Sequence, residues 1–290
     1  MTEEANRIGA FLRARRDLVT PEQAGLPGQG PRRVPGLRRE EVAMLAGISA
    51  DYYLRLEQGR DSSPSISVLE SLAGVLHLDD DTTAYLVSLG APRPRRQRRT
   101  PRRETIPAGV AMLVTTLPLP AFVEGRYFDV LAANPPATAL SPRLVVGGNR
   151  LRDVFLDPAE KDLYPDWQSA TERLVAGFRQ SVGTDTDNQC FIDLVGELSL
   201  ASPRFRSLWA RHDVRAREGA EMRLEHPQLG ELCLRREKLA ISGAPGQMLV
   251  VYHASPASPD AEKLRLIGSL TEAAPPPQSN LQATPPSPQT

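Results

Sequence analysis

The sequence predicts an all-α N-terminal bundle of about five helices, followed by an α+β C-terminal domain. Three observations carry this expectation. Apolar residues recur at helical spacing through residues 1–90. A stretch with no apolar periodicity, Ala91–Glu104, packs seven arginines and three prolines and reads as an extended, solvated linker. Beyond it, over residues 105–270, helical stripes mix with strand-like runs and turn residues. Residues 271–290 are rich in Pro, Ser, Gln and Thr, cannot bury enough apolar surface to offset ordering entropy, and are expected to be disordered.

In the first helix, Ala5, Ile8, Phe11 and Leu12 share a face, with Arg7, Arg13 and Arg16 mostly away from it. A Pro/Gly-rich loop, residues 20–37, leads to two short helices, RREEVAMLAG and SADYYLRLEQG, separated by Gly47. The next segment, SPSISVLESLAGVLHL, places Ile66, Leu69, Ala73 and Leu76 at helical spacing, with Ser67-x-x-Glu70 as a capping box. DDDTTAYLVSLG then reads as a last helix, with acids at its start and Gly90 at its end.

After the linker, PAFVEGRYFDVLAAN carries Phe122, Val123, Phe128, Val130 and Leu131 around Gly125 and predicts a hairpin. Three helical stripes follow: Trp167, Ala170, Leu174 and Phe178; Phe191, Leu194, Val195 and Leu198; Phe205, Leu208 and Trp209. The run MRLEHPQLGELCLRREKLAISGAPGQMLVVYHA predicts three antiparallel strands with Pro-Gln-Leu-Gly and Gly-Ala-Pro-Gly turns.

The chain has 35 basic and 35 acidic residues. That balance hides an asymmetry. Residues 1–103 hold 17 Arg and no Lys against 13 acids, a net +4, leaving 18 basic and 22 acidic residues, a net −4, in the remainder. A basic module joined to an acidic one is the footprint of nucleic-acid binding attached to another task. No apolar run approaches the roughly 20 residues of a membrane span, and no signal-peptide h-region follows the N-terminus, so the chain is expected in the cytoplasm, away from membranes. Cys190 and Cys233 match no zinc or redox spacing.

Sterics at several positions identify a helix-turn-helix. Val42, Ala43 and Ala46 form the inner face of a scanning helix, and Gly47 occupies a turn where positive φ costs least. Ser49 is placed to N-cap the second helix, which Ile48, Tyr53 and Leu56 lock onto the first. With Tyr53 and Leu56 turned inward, Ala50, Asp51, Leu54, Arg55 and Gln58 face the major groove of double-stranded DNA, with Tyr52 at the rim. Arg55 suits guanine, Gln58 adenine and Asp51 cytosine N4. Arg38 and Arg60 are candidates for phosphate contacts at the borders of this surface, and Arg39, the natural partner of Glu57, and Ser49 are counted with the DNA-binding residues. Arg32 and Arg33 are equally consistent with a solvated loop. One short recognition helix reads few base pairs, so a homodimer on two half-sites is expected.

The segment GLRREEVAMLAGISADYYLRLEQGRDSSPSISVLESLAGVLHL closely resembles the lambda-repressor-like, XRE-type regulators of actinobacteria. PAFVEGRYFDVLAANPPATAL, LYPDWQSATERLVAGFR, DLVGELSLASPRFRSLWARHDVRA and HPQLGELCLRREKLAISGAPGQMLVVYHASPASPDAEKLRLI resemble successive segments of the MmyB-like ligand-binding domain. Together they cover roughly residues 5–270. The resemblance implies a transcription regulator whose second domain is PAS-like, with a sheet enclosing an apolar pocket for a small-molecule ligand. The family often has Trp-Asn-Pro after the first hairpin, where this chain has Ala133, Asn134 and Pro135, so pocket volume is expected to differ. The inward stripes nominate Phe122, Leu131, Trp167, Phe178, Leu194, Trp209 and Val250 as its walls for an apolar or amphipathic molecule.

No enzyme is expected. The four histidines, His77, His212, His226 and His253, fall in no metal spacing, and no G-x-S-x-G, Walker A or G-x-G-x-x-G occurs. Arg211, His212 and Asp213 adjoin but point in different directions, which suits a helix end. No metal, cofactor or catalytic residue is assigned. The alternative to a ligand sensor is a C-terminal domain that only dimerises or binds a protein partner.

Overall fold

The computed structural model describes residues 7–26, 36–61, 63–90, 104–183, 186, 188–214 and 220–272. Ala5, Arg32, Arg33, the arginines of 93–103 and the tail beyond 272 lie outside the described residues. The N-terminal part comprises α1 (Arg7–Arg16), α2 (Arg39–Leu45), α3 (Ala50–Glu57), α4 (Ile66–Val75) and α5 (Asp80–Gly90). Their apolar stripes meet in one core that includes Phe11, Leu12, Val42, Tyr53, Leu56, Leu72 and Leu86. Burial of those stripes, rather than helix propensity, stabilises helices this short.

Three local expectations are corrected. The α4 cap is Ser65, whose hydroxyl accepts from Val68 N at 3.4 Å. Ser67 sits inside the first turn with its hydroxyl 3.0 Å from that of Ser65, and Ile66 in the same turn is exposed, off the buried stripe of Leu69, Leu72 and Ala73. Arg16, expected to point outward, is buried because its Nε donates to Glu57 Oε1 at 2.7 Å and its Nη1 to Leu37 O at 2.8 Å.

The C-terminal part begins with α6 (Ala108–Thr116), β1 (Ala121–Glu124) and β2 (Val130–Ala133). It continues through α7 (Pro135–Leu140), α8 (Arg150–Leu156), α9 (Pro158–Asp162), α10 (Trp167–Val182), α11 (Gln189–Ala201) and α12 (Pro203–Ala210). It closes with β3 (Ala220–His226), β4 (Gly230–Ala240), β5 (Met248–His253) and α13 (Pro259–Glu272). Glu104 already belongs to this fold, since its carboxylate accepts from Arg126 N at 3.2 Å.

The five strands form one antiparallel sheet in the order β2-β1-β5-β4-β3. The predicted hairpin and the predicted three-strand meander thus join through β1 and β5. Strand alternation divides the faces. Ala121, Val123 and Leu249 pack with Val114 of α6 on one side. Phe122, Leu232, Leu234, Val250 and Tyr252 face the other, where α7 and α13 cover part of the sheet. Asn134 anchors the exit of the hairpin: its Oδ1 accepts from Ala121 N and Ala137 N, both at 3.0 Å, and its Nδ2 donates to Leu117 O at 3.1 Å and Leu119 O at 2.7 Å. Both of its donors and both of its acceptor sites are occupied.

A second core lies among α8, α10, α11 and α12, where Phe128, Phe178, Phe191, Leu194 and Phe205 pack together. The turn after α12 leaves this core and enters the other domain. Val214 is buried in the N-terminal bundle, and its carbonyl accepts from Thr82 Oγ1 at 3.4 Å. No helix among the described residues is long and apolar enough to cross a membrane.

Candidate nucleic-acid interface and ligand cavity

The joint between α2 and α3 turns at Gly47, whose φ of +69° is the reason for glycine, since an added Cβ would meet nothing within 4 Å. Ser49 caps α3, its Oγ accepting from Tyr52 N at 3.1 Å. Tyr53 and Leu56 are fully buried, so α3 has one rotational setting. In that setting Ala50, Asp51, Arg55 and Gln58 are exposed, with Tyr52 and Leu54 half-buried beside them. Arg38 and Arg60 are exposed at the borders. Arg55 forms an i,i+4 ion pair with Asp51 and lies 5.6 Å from the Tyr52 ring centroid. The two residues assigned to different bases therefore hold each other when no DNA is present.

Glu57 is the bolt behind this surface. Its buried carboxylate accepts from Arg16 Nε at 2.7 Å and Arg39 Nε at 2.6 Å. Burial would raise its pKa, but those two charge-assisted bonds outweigh burial and hold it below the usual range. Arg39 thus has the predicted partner, and its side chain, 42% exposed, reaches the edge of the surface.

The second feature is a cavity of about 840 Å³ in the C-terminal domain. Its floor is the inward face of the sheet, with Phe122 and Glu124 of β1, Arg236 and Lys238 of β4, and Tyr252 of β5. Arg150, Tyr164 and Leu174 wall it from the helical side. Asp79 and Asp81, from the start of α5 in the other domain, complete the lining.

The expectation of an apolar pocket is corrected. Lys238 Nζ meets Glu124 Oε1 at 2.8 Å, with both side chains almost wholly buried, and lies 4.9 Å from the Phe128 ring centroid. Arg150 donates to Glu160 Oε2 at 3.1 Å and to the Tyr164 hydroxyl at 2.7 Å, and its pKa stands well above the usual value because these partners outweigh desolvation. Burial pushes the Tyr164 and Tyr252 hydroxyls upward, so both are neutral hydrogen-bonding groups near neutral pH. A residue two positions along a strand shares its face, which brings Glu124 beside Phe122, and Arg236 and Lys238 in line with Leu234. That period in LCLRREK was the available signal for these charges.

Of the seven nominated wall residues, the structure places Phe122 in the lining. Leu131 packs on the opposite face of the sheet with α6, and Val250 is buried among the sheet's inward side chains. Trp167 donates from Nε1 to Val154 O at 3.0 Å and packs edge-on against Phe155. Phe178, Leu194 and Trp209 sit in the helical core, where Trp209 stacks on Phe205 with ring centroids 5.8 Å apart. Among the described residues no group of three His, Cys, Asp or Glu is placed to hold a metal ion.

Residues 106–267 match the family described as the MmyB-like transcription regulator ligand binding domain. Residues 7–86 match a helix-turn-helix domain family. No curated protein matches the chain.

Proposed function

Since the chain belongs to the MmyB-like transcription regulators, a DNA-binding family with its own ligand-binding domain, we propose that occupancy of the cavity by a small molecule sets its affinity for an operator. The α3 surface enters the major groove, with Arg55, Gln58 and Asp51 reading bases and Arg38 and Arg60 on phosphates. Two copies bind half-sites about 34 Å apart, because an eight-residue helix reads too little sequence alone. The chain acts as a switch and not as an enzyme.

The observation that carries this reading is the composition of the cavity wall. An occupant resting on the sheet also meets Asp79 and Asp81 of the DNA-binding domain. It can therefore have different affinities for different arrangements of the two domains, which is the physical requirement for coupling.

The test is native mass spectrometry on protein purified from its host, followed by operator titrations before and after removal of any bound small molecule. A co-purifying molecule whose removal changes operator affinity supports the reading. If no preparation carries or binds one, the sensor reading fails and the C-terminal domain is left as a dimerisation or partner module.

A further inference from the structure

Helix α11 buries one side and leaves the other bare. Phe191, Leu194 and Leu198 enter the helical core, while Ile192, 48% exposed, and Leu200, 85% exposed, lie on the opposite side with Gly196 between them. The three are four positions apart and form one ridge of the kind that packs helix on helix, with Ile192 and Leu200 about 6 Å to either side of Gly196 along the axis. Among the described residues nothing explains the glycine: a Cβ built at Gly196 meets no atom within 4 Å, and glycine in a helix interior is less stable than alanine. A second backbone passing close over that point does explain it.

Symmetry then selects the partner. With a second copy of α11 lying antiparallel across Gly196, positions equally distant from that glycine on its two sides face each other. Ile192 meets Leu200 of the second copy, and Leu200 meets its Ile192, an isologous contact that closes after two chains. By the same rule Asp193 falls opposite Ser199, and Ser199 carries a cation, since Arg206 Nη1 donates to its carbonyl at 3.1 Å. Asp193 accepts from Gln189 Nε2 at 2.7 Å, and neither Asp193 nor Arg206 is in an ion pair among the described residues. The pairing therefore brings an unmatched acid to an unmatched base on each side of the axis.

We propose that this face of α11 is where two copies of the chain meet, antiparallel about Gly196, with Arg206 of each chain reaching Asp193 of the other. The inference rests on the two-copy arrangement on half-sites given above and adds to it the surface that makes the contact. One helix pair covers less than the roughly 800 Å² per partner of a standard interface, so the contact off DNA is weak, of about micromolar strength. A weak contact suits an operator-bound pair, because two half-sites already hold the chains at a high effective concentration.

The experiment is sedimentation velocity on the full chain over about 1 to 100 micromolar, free and bound to operator. Wild type off DNA is expected to pass from monomer to dimer across that range. Asp193→Arg and Arg206→Asp should each weaken the dimer roughly tenfold or more, because each sets like charges opposite one another. The double variant should return to within about threefold of wild type, since the exchanged charges pair again. Leu200→Glu should keep the chain monomeric throughout. Single charge variants that dimerise as wild type does, or a double variant no better than the singles, overturn the proposal even where Leu200→Glu does not fold. A wild type that stays monomeric off DNA yet binds operator as two copies overturns the α11 pairing and leaves the two-copy reading standing. One copy on a full operator removes both.

Discussion

Arg15 of α1 and Asp213, 198 positions later and just beyond α12, form a 2.6 Å ion pair that ties the DNA-binding bundle to the ligand-binding domain. Around it, the Phe11 ring meets His212 edge-on at 6.2 Å, and Arg7 donates to Gly183 O at 2.8 Å. With Val214 inserted in the N-terminal core, the two domains share packed side chains. The Arg-rich linker is therefore not their sole connection.

The pH dependence of this joint follows from His212. Burial, then the positive charges of Arg179 and Arg15, push its pKa from 6.5 down to about 3, and Arg179 Nη1 lies 3.0 Å from its Nδ1 as a donor to a neutral ring. The folded state thus resists a proton that the unfolded state accepts, so stability is lost as pH falls below 6.5 toward 3. Between pH 7 and pH 5 this amounts to about 2 kcal/mol. Asp153 opposes it. Burial raises that carboxyl to about 6, so its contribution grows as pH falls from 6 toward 3.8. The difference between wild type and His212→Gln isolates the histidine. Denaturant unfolding at the two pH values should show the larger acid loss in wild type, and equal losses would remove His212 as its source.

Glu57 is buried behind the exposed face of α3, yet its replacement should cost more stability than any change on that face. Removing it takes the carboxylate from the buried Nε of Arg16, leaves that guanidinium with Asp17 and the Leu37 carbonyl at Nη1 alone, and frees Arg39. Breaking a buried pair from one side costs about 3–5 kcal/mol. Glu57→Ala is expected to lose that much in urea unfolding, whereas Gln58→Ala on the exposed side should stay within about 0.5 kcal/mol. Because the Glu57 pKa is lowered in the fold, its contribution is present above the unfolded carboxylate range and is lost as pH falls through the folded pKa. A Glu57→Ala chain as stable as wild type would show that the network contributes nothing net.

The helix-turn-helix was legible because its signals are local: Gly47, Ser49, Tyr53 and Leu56 all fall within ten consecutive residues. Arg16 was not, since its partner lies 41 positions away and no periodicity reports an ion pair. The aromatic stripes of α10 to α12 were readable as helices, but whether a stripe fills a core or borders a hole depends on what faces it. Phe178, Phe191, Phe205 and Trp209 face each other and leave no room. The polar wall depends on sheet order, because Arg236 and Tyr252 meet only once β4 pairs with β5.

Arg55 separates base reading from phosphate contact. Its pair with Asp51 holds the guanidinium on the exposed face before DNA arrives, at some cost in breaking that pair on binding. Arg55→Ala should weaken cognate operator by about 1–3 kcal/mol and random DNA far less, measured by fluorescence anisotropy at fixed salt. Equal weakening on both sequences would assign Arg55 to phosphate.

Gly177 offers a way to fill the cavity without knowing its occupant. It lies in α10, lines the cavity, and a Cβ built there meets nothing within 4 Å. Leucine at this position is expected to grow into the open space and to stabilise the helix by up to about 1 kcal/mol through propensity alone. Gly177→Leu should therefore melt higher than wild type and bind anilinonaphthalene sulfonate more weakly. If an occupant biases the arrangement of the two domains, a permanent one should shift operator affinity by roughly five- to 150-fold, the usual range of coupling. The same shift should shrink when Arg15→Ala is added, because the ion pair to Asp213 is one of the contacts that join the two domains. Gly177→Leu with weakened dye binding and unchanged operator affinity would leave the cavity as a binding site and deny it any part in controlling DNA.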